Sequence, residues 1–329
     1  MKRNARIIST AMYAPERVLP NQYFNELLGQ DVDTWLVENL TIRERHWCAA
    51  NESTADLAFE AGKRTLEKAN LSAKDLDLII IATDTPEYIS PSTASLVQYR
   101  LGAINAGTFD VNTACAGFVT ILDLGAKYIR SDEQYNNVLL IGAYAMSKYL
   151  NLEDKKTVTL FADGAGAAIL QSTSEDRGYL GGLLHTEGQY HDWMGIYAGG
   201  THQPINNDVI SRKDHLLKFV KKFPKEINPT TWTRMIKELI KKQGCTAQDI
   251  DMIFFTQINI NSIRETLANL GLSMDNTHTV MDRFGYTGSA CIPMALSEAV
   301  ELGKVKENDL IVFMGSGGGL AFAAAAFRW

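Results

Sequence analysis

Among the side chains able to do covalent chemistry, Cys115 has the most suggestive surroundings. It stands in Asp110-Val-Asn-Thr-Ala-Cys115-Ala-Gly-Phe118, where an extended approach passes through small residues into an apolar run. That pattern predicts a thiol at or beside a helix N-terminus, where peptide dipoles and unpaired N–H groups favour an anion and lower the thiol pKa. A thiolate exchanges with a thioester at little thermodynamic cost, so the expected chemistry is acyl transfer. Ala114, Ala116 and Gly117 leave room for a substrate. A packed core cysteine is the competing reading, since free cysteine is among the most buried residue types. Cys48, Cys245 and Cys291 lack comparable neighbours and read as loop or core residues. The cysteines show no C-x-x-C spacing and no disulfide density, which fits free thiols in a reducing compartment. The six histidines have no metal-ligand spacing. His191 and His202 are candidates to swing toward the thiol as a base.

The elements that must position Cys115 come from an internal repeat. Residues 73–82, AKDLDLIIIA, align with residues 247–256, AQDIDMIFFT, 174 positions on. Each is a short acidic turn feeding an apolar run, as a buried parallel strand reads. At about the same offset and in the same order, Ala114-Cys115-Ala-Gly117 pairs with Ser289-Ala-Cys-Ile292, Val138–Gly142 with Ile311–Gly315, and Gly164–Leu170 with Gly319–Phe327. Four matches in order imply duplication. Helical patterns between them, Thr54–Ala69, Gly117–Arg130, Pro229–Gln243 and Ser262–Leu270, imply βαβ units with parallel sheets covered on both faces. No linker separates the halves. The expected organisation is therefore two interlocked halves, 1–172 and 173–329, with the site at their boundary and an inserted loop and helix at about 190–228 that covers it.

Composition bounds the rest. With 329 residues, 46% hydrophobic and 21% charged, the chain has the make-up of a soluble globular protein. A formal net charge of −6 argues against nucleic acid as a bulk partner. No signal-peptide pattern opens the chain and no apolar run reaches the ~20 residues of a membrane span, so a cytoplasmic protein is expected.

Thr113-Ala-Cys115-Ala-Gly-Phe118 resembles the active-site motif of the ketoacyl synthase III family, which condenses a short acyl-CoA with malonyl-ACP. The likeness runs from Ile42-Arg-Glu-Arg-His46 through Phe161-Ala-Asp-Gly-Ala-Gly-Ala-Ala168 to Ser273-Met-Asp-Asn276 and Gly317–Gly319. It implies the duplicated, five-layered αβαβα thiolase-like fold, a homodimer and an EC 2.3.1 acyltransferase without a cofactor beyond its acyl-CoA or acyl-ACP substrate. It also implies that the backbone N–H groups of Cys115 and Gly318 hold the oxyanion.

Two departures fall in the chemistry. The family's His-Gln-Ala-Asn motif is matched by Thr256-Gln-Ile-Asn259, so Thr256 replaces the active-site histidine; its Gly-Asn-Thr-Ser motif is matched by Gly285-Tyr-Thr-Gly288, so Tyr286 replaces the asparagine. In the family these two stabilise the enolate formed as malonyl loses carbon dioxide. A preorganised donor to an oxyanion is worth about 3–4 kcal/mol. Threonine is a poor general base beside imidazole, and Tyr286 fills space where malonyl would sit, so malonyl decarboxylation is expected to be weak.

By the same resemblance Trp35 faces the CoA adenine, with Asn39 and Lys155 where the family has arginines. Trp35 as a plain surface aromatic stays open. Lysine offers only a point charge to phosphate, which favours a carrier protein over CoA. Lys213, Lys218, Lys221, Lys222 and Lys225 form a basic run, either a carrier-protein dock or a solvated helix face. Ser90 stands where the family has a pocket-limiting phenylalanine, so acyl groups longer than acetyl are expected. Three functions compete: a specialised acyltransferase using Cys115, a housekeeping 3-oxoacyl-ACP synthase III, and a silent subunit of a heterodimer, against which Cys115 speaks.

Overall fold

The computed structural model describes residues 3–329. The duplicated acidic turns become matching capped 3₁₀ turns. Asp75 accepts from the Ser72 N–H at 2.9 Å, and Asp249 from the Thr246 N–H at 2.7 Å. Each turn delivers the chain into a buried strand, Leu78–Ala82 or Met252–Phe255.

Strands from residues 4–173 build one sheet, in the order Asn4–Tyr13, Asp163–Thr173, Asn137–Ala145, Leu78–Ala82, Gly107–Val111. Strands from residues 178–328 build the other, in the order Gly178–Thr186, Ala321–Arg328, Leu310–Gly317, Met252–Phe255. Only the far end of each sheet is parallel; the first two junctions of each are antiparallel, so the expectation of parallel sheets gives way to mixed ones. The second sheet reduces its fifth strand to one bridge, Ile253 with Thr277.

Side-chain alternation decides the layers. Ile79, Ile81, Leu139 and Ile141 pack outward with helix Thr54–Ala69, whereas Leu78, Ile80, Val138 and Leu140 pack inward with Phe118 and Ile121. Burying each such side chain contributes about 1.5–3 kcal/mol. Helices Gly117–Ser131 and Cys291–Glu301 form the central layer, and Ile227–Lys241 and Ile260–Leu270 cover the second sheet, completing αβαβα. The four helices expected from the sequence are present, shifted at most by two residues at an end.

The repeat needs two corrections. The turns before the central helices are Ala114–Ala116 and Gly288–Ala290, with the first residue of each left-handed at φ 46° and 50°. The register is therefore 174 throughout that region, and Cys115 corresponds to Ser289 rather than Ala290. The last strand pair breaks the offset: Leu170 opposite Val138 matches Phe327 opposite Ile311, only 157 positions on. A loop joins the strands in the first half where a tight turn, 318–320, joins them in the second.

The halves interlock through absent side chains. A Cβ on Gly142 would collide with the Ser289 carbonyl of the other half, and one on Gly315 would lie 2.9 Å from Cα of Ala116. Close approach, not backbone freedom, requires glycine at both positions.

The segment 190–228 folds as a ribbon, Met194–Gly195 with Lys218–Phe219, plus a short helix, Asn207–Ser211. Tyr190, Trp193, Phe219 and Phe223 pack together in it. The basic run is not on a helix, and acids take up much of it: Lys213 pairs with Glu153 at 2.7 Å, Lys218 with Asp214, and Lys221 with Asp192 at 3.3 Å.

Candidate active site

Cys115 sits in the turn feeding helix Gly117–Ser131, as its sequence predicts. Ala114 holds the left-handed φ of 46° that only glycine adopts without cost. Strain of this kind costs of order 1–3 kcal/mol and persists where surroundings over-determine it. Here they do: a Cβ on Gly317 would fall 2.5 Å from the Cys115 nitrogen and 2.6 Å from the Thr113 carbonyl oxygen. The glycine run thus packs directly against the turn, with half-buried Gly318 next in line under the Met194 carbonyl of the inserted segment.

The thiol itself differs from expectation. Cys115 is only 3% exposed, and burial pushes its pKa well above the ordinary thiol value, with the nearby Asp84 charge adding to the rise. The helix terminus does not prevail over desolvation. A hydrogen bond from the Tyr286 hydroxyl acts in the opposite direction and favours the thiolate.

Tyr286 is fixed by its backbone: its N–H donates to Leu160 O at 2.9 Å, and its carbonyl accepts from Ala162 N at 2.9 Å. Its ring packs on Phe161 at 5.4 Å, and Phe161 on Tyr144 at 6.4 Å. Burial holds both phenols above their usual pKa, so they stay neutral donors. Thr256 is fully buried, and its hydroxyl is committed: it accepts from Ser316 N at 2.9 Å and donates to Ser316 O at 3.3 Å. It therefore anchors the strand that carries Gly317 and Gly318.

The remaining candidates fall into two places. Trp35 projects from helix Asp33–Leu40, 55% exposed, and its carbonyl accepts from the Asn39 side chain at 2.9 Å. Lys155 reaches Gln30, just before this helix, at 3.2 Å, and the Asn39 carbonyl accepts from Asn261 at 3.1 Å, two residues past Asn259. Trp35, Asn39, Lys155 and Asn259 thus border one surface. Ser90 is exposed on the loop before helix Thr93–Leu101, beside Tyr88 and Ile89. His191 and His202 lie exposed on the inserted segment, and the structure does not bring them to Cys115.

Asp84 and Tyr144 escaped the sequence reading. Their signal was positional: Asp84, Tyr144, Thr256 and Ser316 all lie at or just past the carboxyl ends of strands with parallel partners, where α/β sheets place ligands. Among the described residues, no group of His, Cys, Asp and Glu could hold a metal, and no helix is long and apolar enough to cross a membrane.

A duplicated αβαβα fold with a cysteine at the seam of its two halves defines the thiolase-like class of acyl-transferring proteins. Family models for 3-oxoacyl-[acyl-carrier-protein] synthase III match residues 109–188 and, for its C-terminal part, 240–329. A β-ketoacyl-[acyl-carrier-protein] synthase III of Caldanaerobacter subterraneus is 35% identical, covering 99% of this chain and 98% of that one. One from Clostridium perfringens is 38% identical, covering 99% of each. The crystal structure of the Aquifex aeolicus synthase III superposes with a TM-score of 0.89 at 31% identity, over 99% of this chain and 100% of the other. The chain belongs to the 3-oxoacyl-[acyl-carrier-protein] synthase III family, whose members are acyl-transferring condensing enzymes.

Proposed function

We propose that Cys115 accepts an acyl group from acyl-CoA or an acyl carrier protein. The protein then passes it to a nucleophile that needs little activation: a β-keto acid or β-ketothioester carbon, or an oxygen or nitrogen. The backbone N–H groups of Cys115 and Gly318 hold the oxyanion of the acylation step. One observation carries this reading: Thr256 has its hydroxyl committed to Ser316, and Tyr286 is bonded to the thiol, so neither is placed as the donor pair that an incoming malonyl thioester requires. A role in specialised metabolism or an unusual fatty acid pathway follows from that loss. Because Cys115 is only 3% exposed, reaching it requires the acyl donor to displace covering side chains.

The unit is proposed to be a homodimer of two-half chains, 1–172 and 173–329. Tyr99 (80% exposed), Ile104 (70%) and Ile89 (85%) form an apolar surface beside strand Gly107–Val111, which is paired on one side only. A second copy would cover both.

Ordinary decarboxylative condensation is the second reading, favoured by relatives of that name at 35–38% identity over nearly the whole chain. Intact-mass measurement after incubation with octanoyl-CoA tests the first step: an octanoyl adduct on Cys115 is expected. Malonyl-ACP is then added and carbon dioxide measured. Release at the rate of an ordinary family member would overturn the assignment of Thr256 and Tyr286. The double variant Thr256→His, Tyr286→Asn is expected to raise release by about 10²–10³-fold; no gain would count against the same assignment.

A further inference from the structure

Acylation of Cys115 must dispose of the thiol proton, and neither Thr256 nor Tyr286 can take it. Strand Leu78–Ala82 points to the group that can. Along it, Ile79 and Ile81 face the outer helices, while Leu78, Ile80 and Ala82 face the core shared with Cys115, Phe118 and Tyr144. The extended course continues past the strand, since Thr83 N–H donates to Val111 O at 3.1 Å. The Thr83 and Thr85 hydroxyls meet each other at 3.3 Å, and that of Thr85 accepts from Ala145 N at 2.9 Å. The Thr85 carbonyl accepts from the hydroxyl of Thr54, the first residue of an outer helix. These two side chains therefore turn outward. By alternation Asp84 turns inward with Ala82, against which the start of the nucleophile helix is pressed: a Cβ on Gly117 would lie 2.8 Å from that of Ala82.

Asp84 is half-buried as a residue, yet its Oδ1 is shut off from solvent and has no hydrogen-bond partner. A buried carboxylate oxygen without a donor costs free energy and calls for a reason. Its charge acts on Cys115 and on Tyr144.

We propose that Asp84 is the proton acceptor for Cys115, a role that rests on the acyl-cysteine reading above. The Sγ–H proton passes to the Asp84 carboxylate as Sγ bonds to the thioester carbonyl carbon. The tetrahedral oxyanion then collapses, the bond from that carbon to the donor sulfur breaks, and the departing thiolate takes the proton back and leaves as a thiol. In the second half-reaction, the same carboxylate accepts the proton of an incoming O–H or N–H nucleophile and returns it to the Cys115 sulfur as the acyl group leaves. One negative charge is present throughout, as a buried site without a compensating cation requires. The titratable groups sharing the space are Cys115, Tyr144, Tyr286 and Cys291, while Asp163 acts on Tyr144 from its own strand with its oxygens taken up by the Cys48 N–H and by Ser147. Burial raises all four, Cys291 to about 12, while Asp84 rises from the usual carboxyl value only to about 6. Asp84 is the member of this set that ionises near neutrality, where a general base works best.

The test follows acylation of Cys115 by hexanoyl-N-acetylcysteamine, using intact mass under rapid quench, in the wild-type protein, Asp84→Asn and Asp84→Glu. The Asn variant is expected to acylate about 10²- to 10⁴-fold more slowly, with Glu restoring part of the rate. The wild-type rate should climb with pH through about 6, and the Asn variant should lose that limb. A merely electrostatic neighbour gives the opposite sign, because removing an anion eases thiol ionisation; an Asn variant as fast as wild type or faster overturns the proposal. If the Asn variant fails to fold, the wild-type profile decides, and a rate flat through that range overturns it. A wild-type protein that gains no adduct at all refutes the acyl-cysteine reading instead.

Discussion

The two halves of the chain present the same turn at the same place and use it for different ends. Thr113-Ala-Cys115-Ala116 and Thr287-Gly-Ser289-Ala290 share backbone geometry, down to the left-handed first residue of each 3₁₀ turn. In the second half, the Ser289 hydroxyl donates to the Ala143 carbonyl at 2.9 Å and is consumed as a brace between halves. In the first, the Cys115 thiol accepts a hydrogen bond from Tyr286 and feels the charge of Asp84. The counterpart of Asp84, 174 positions on, is Ile258, an apolar residue packed on the core. Duplication supplied two equivalent turns; one carries a thiol beside a buried carboxyl, the other a hydroxyl spent on a brace beside an isoleucine.

This asymmetry can be broken from either side. Cys115→Ala is expected to abolish the acyl adduct completely, while Ser289→Ala keeps it and loses about 1–2 kcal/mol of stability, read by intact mass and urea melts. An adduct surviving in the first variant would transfer the chemistry elsewhere. Next in size is the conflict between function and stability at Asp84. Its folded pKa of about 6 exceeds the ordinary 3.8, so the folded state holds its proton more tightly than the unfolded chain. Stability on this account falls as pH rises from about 4 to 6 and stays reduced above, by about 3 kcal/mol. Asp84→Asn should therefore raise Tm at mildly alkaline pH and leave it nearly unchanged at pH well below 4; equal shifts at both would remove the ionised carboxyl from the account. Smallest is a matched pair of collisions. Gly142→Ala and Gly315→Ala each press a methyl into the opposite turn and should cost about 1–3 kcal/mol. Only Gly315→Ala, which abuts Ala116, should also slow acylation of the folded protein. Equal slowing in both would mean that the two turns are not functionally separate.

Much of this was legible in the residues. Periodicity and the repeated acidic turns fixed the helices, the strands and the duplicated architecture, because a buried face writes itself into spacing. The helix-terminal position of Cys115 followed from small residues preceding an apolar run. The one-residue register near the cysteine is not legible in the residues, because Ala114 and Gly288 share the left-handed position and the side chains there give no alignment signal.

What sequence alone determined, then, was the set of elements and the helix-terminal place of the candidate thiol. Only the tertiary structure decided the state of that thiol. A local pattern carries the helix dipole that would acidify Cys115, but the desolvation that reverses it comes from residues brought together from both halves: Tyr144 and Phe161 of one, Tyr286 and Cys291 of the other. The same holds for Thr256, whose lost freedom is a bond to Ser316, 60 residues away, and for Asp84, an unremarkable acid until its oxygen is enclosed without a donor. Spacing records which face of an element is buried; the dielectric and the hydrogen-bond partners at a point depend on everything packed around it, and no local stretch of chain encodes them.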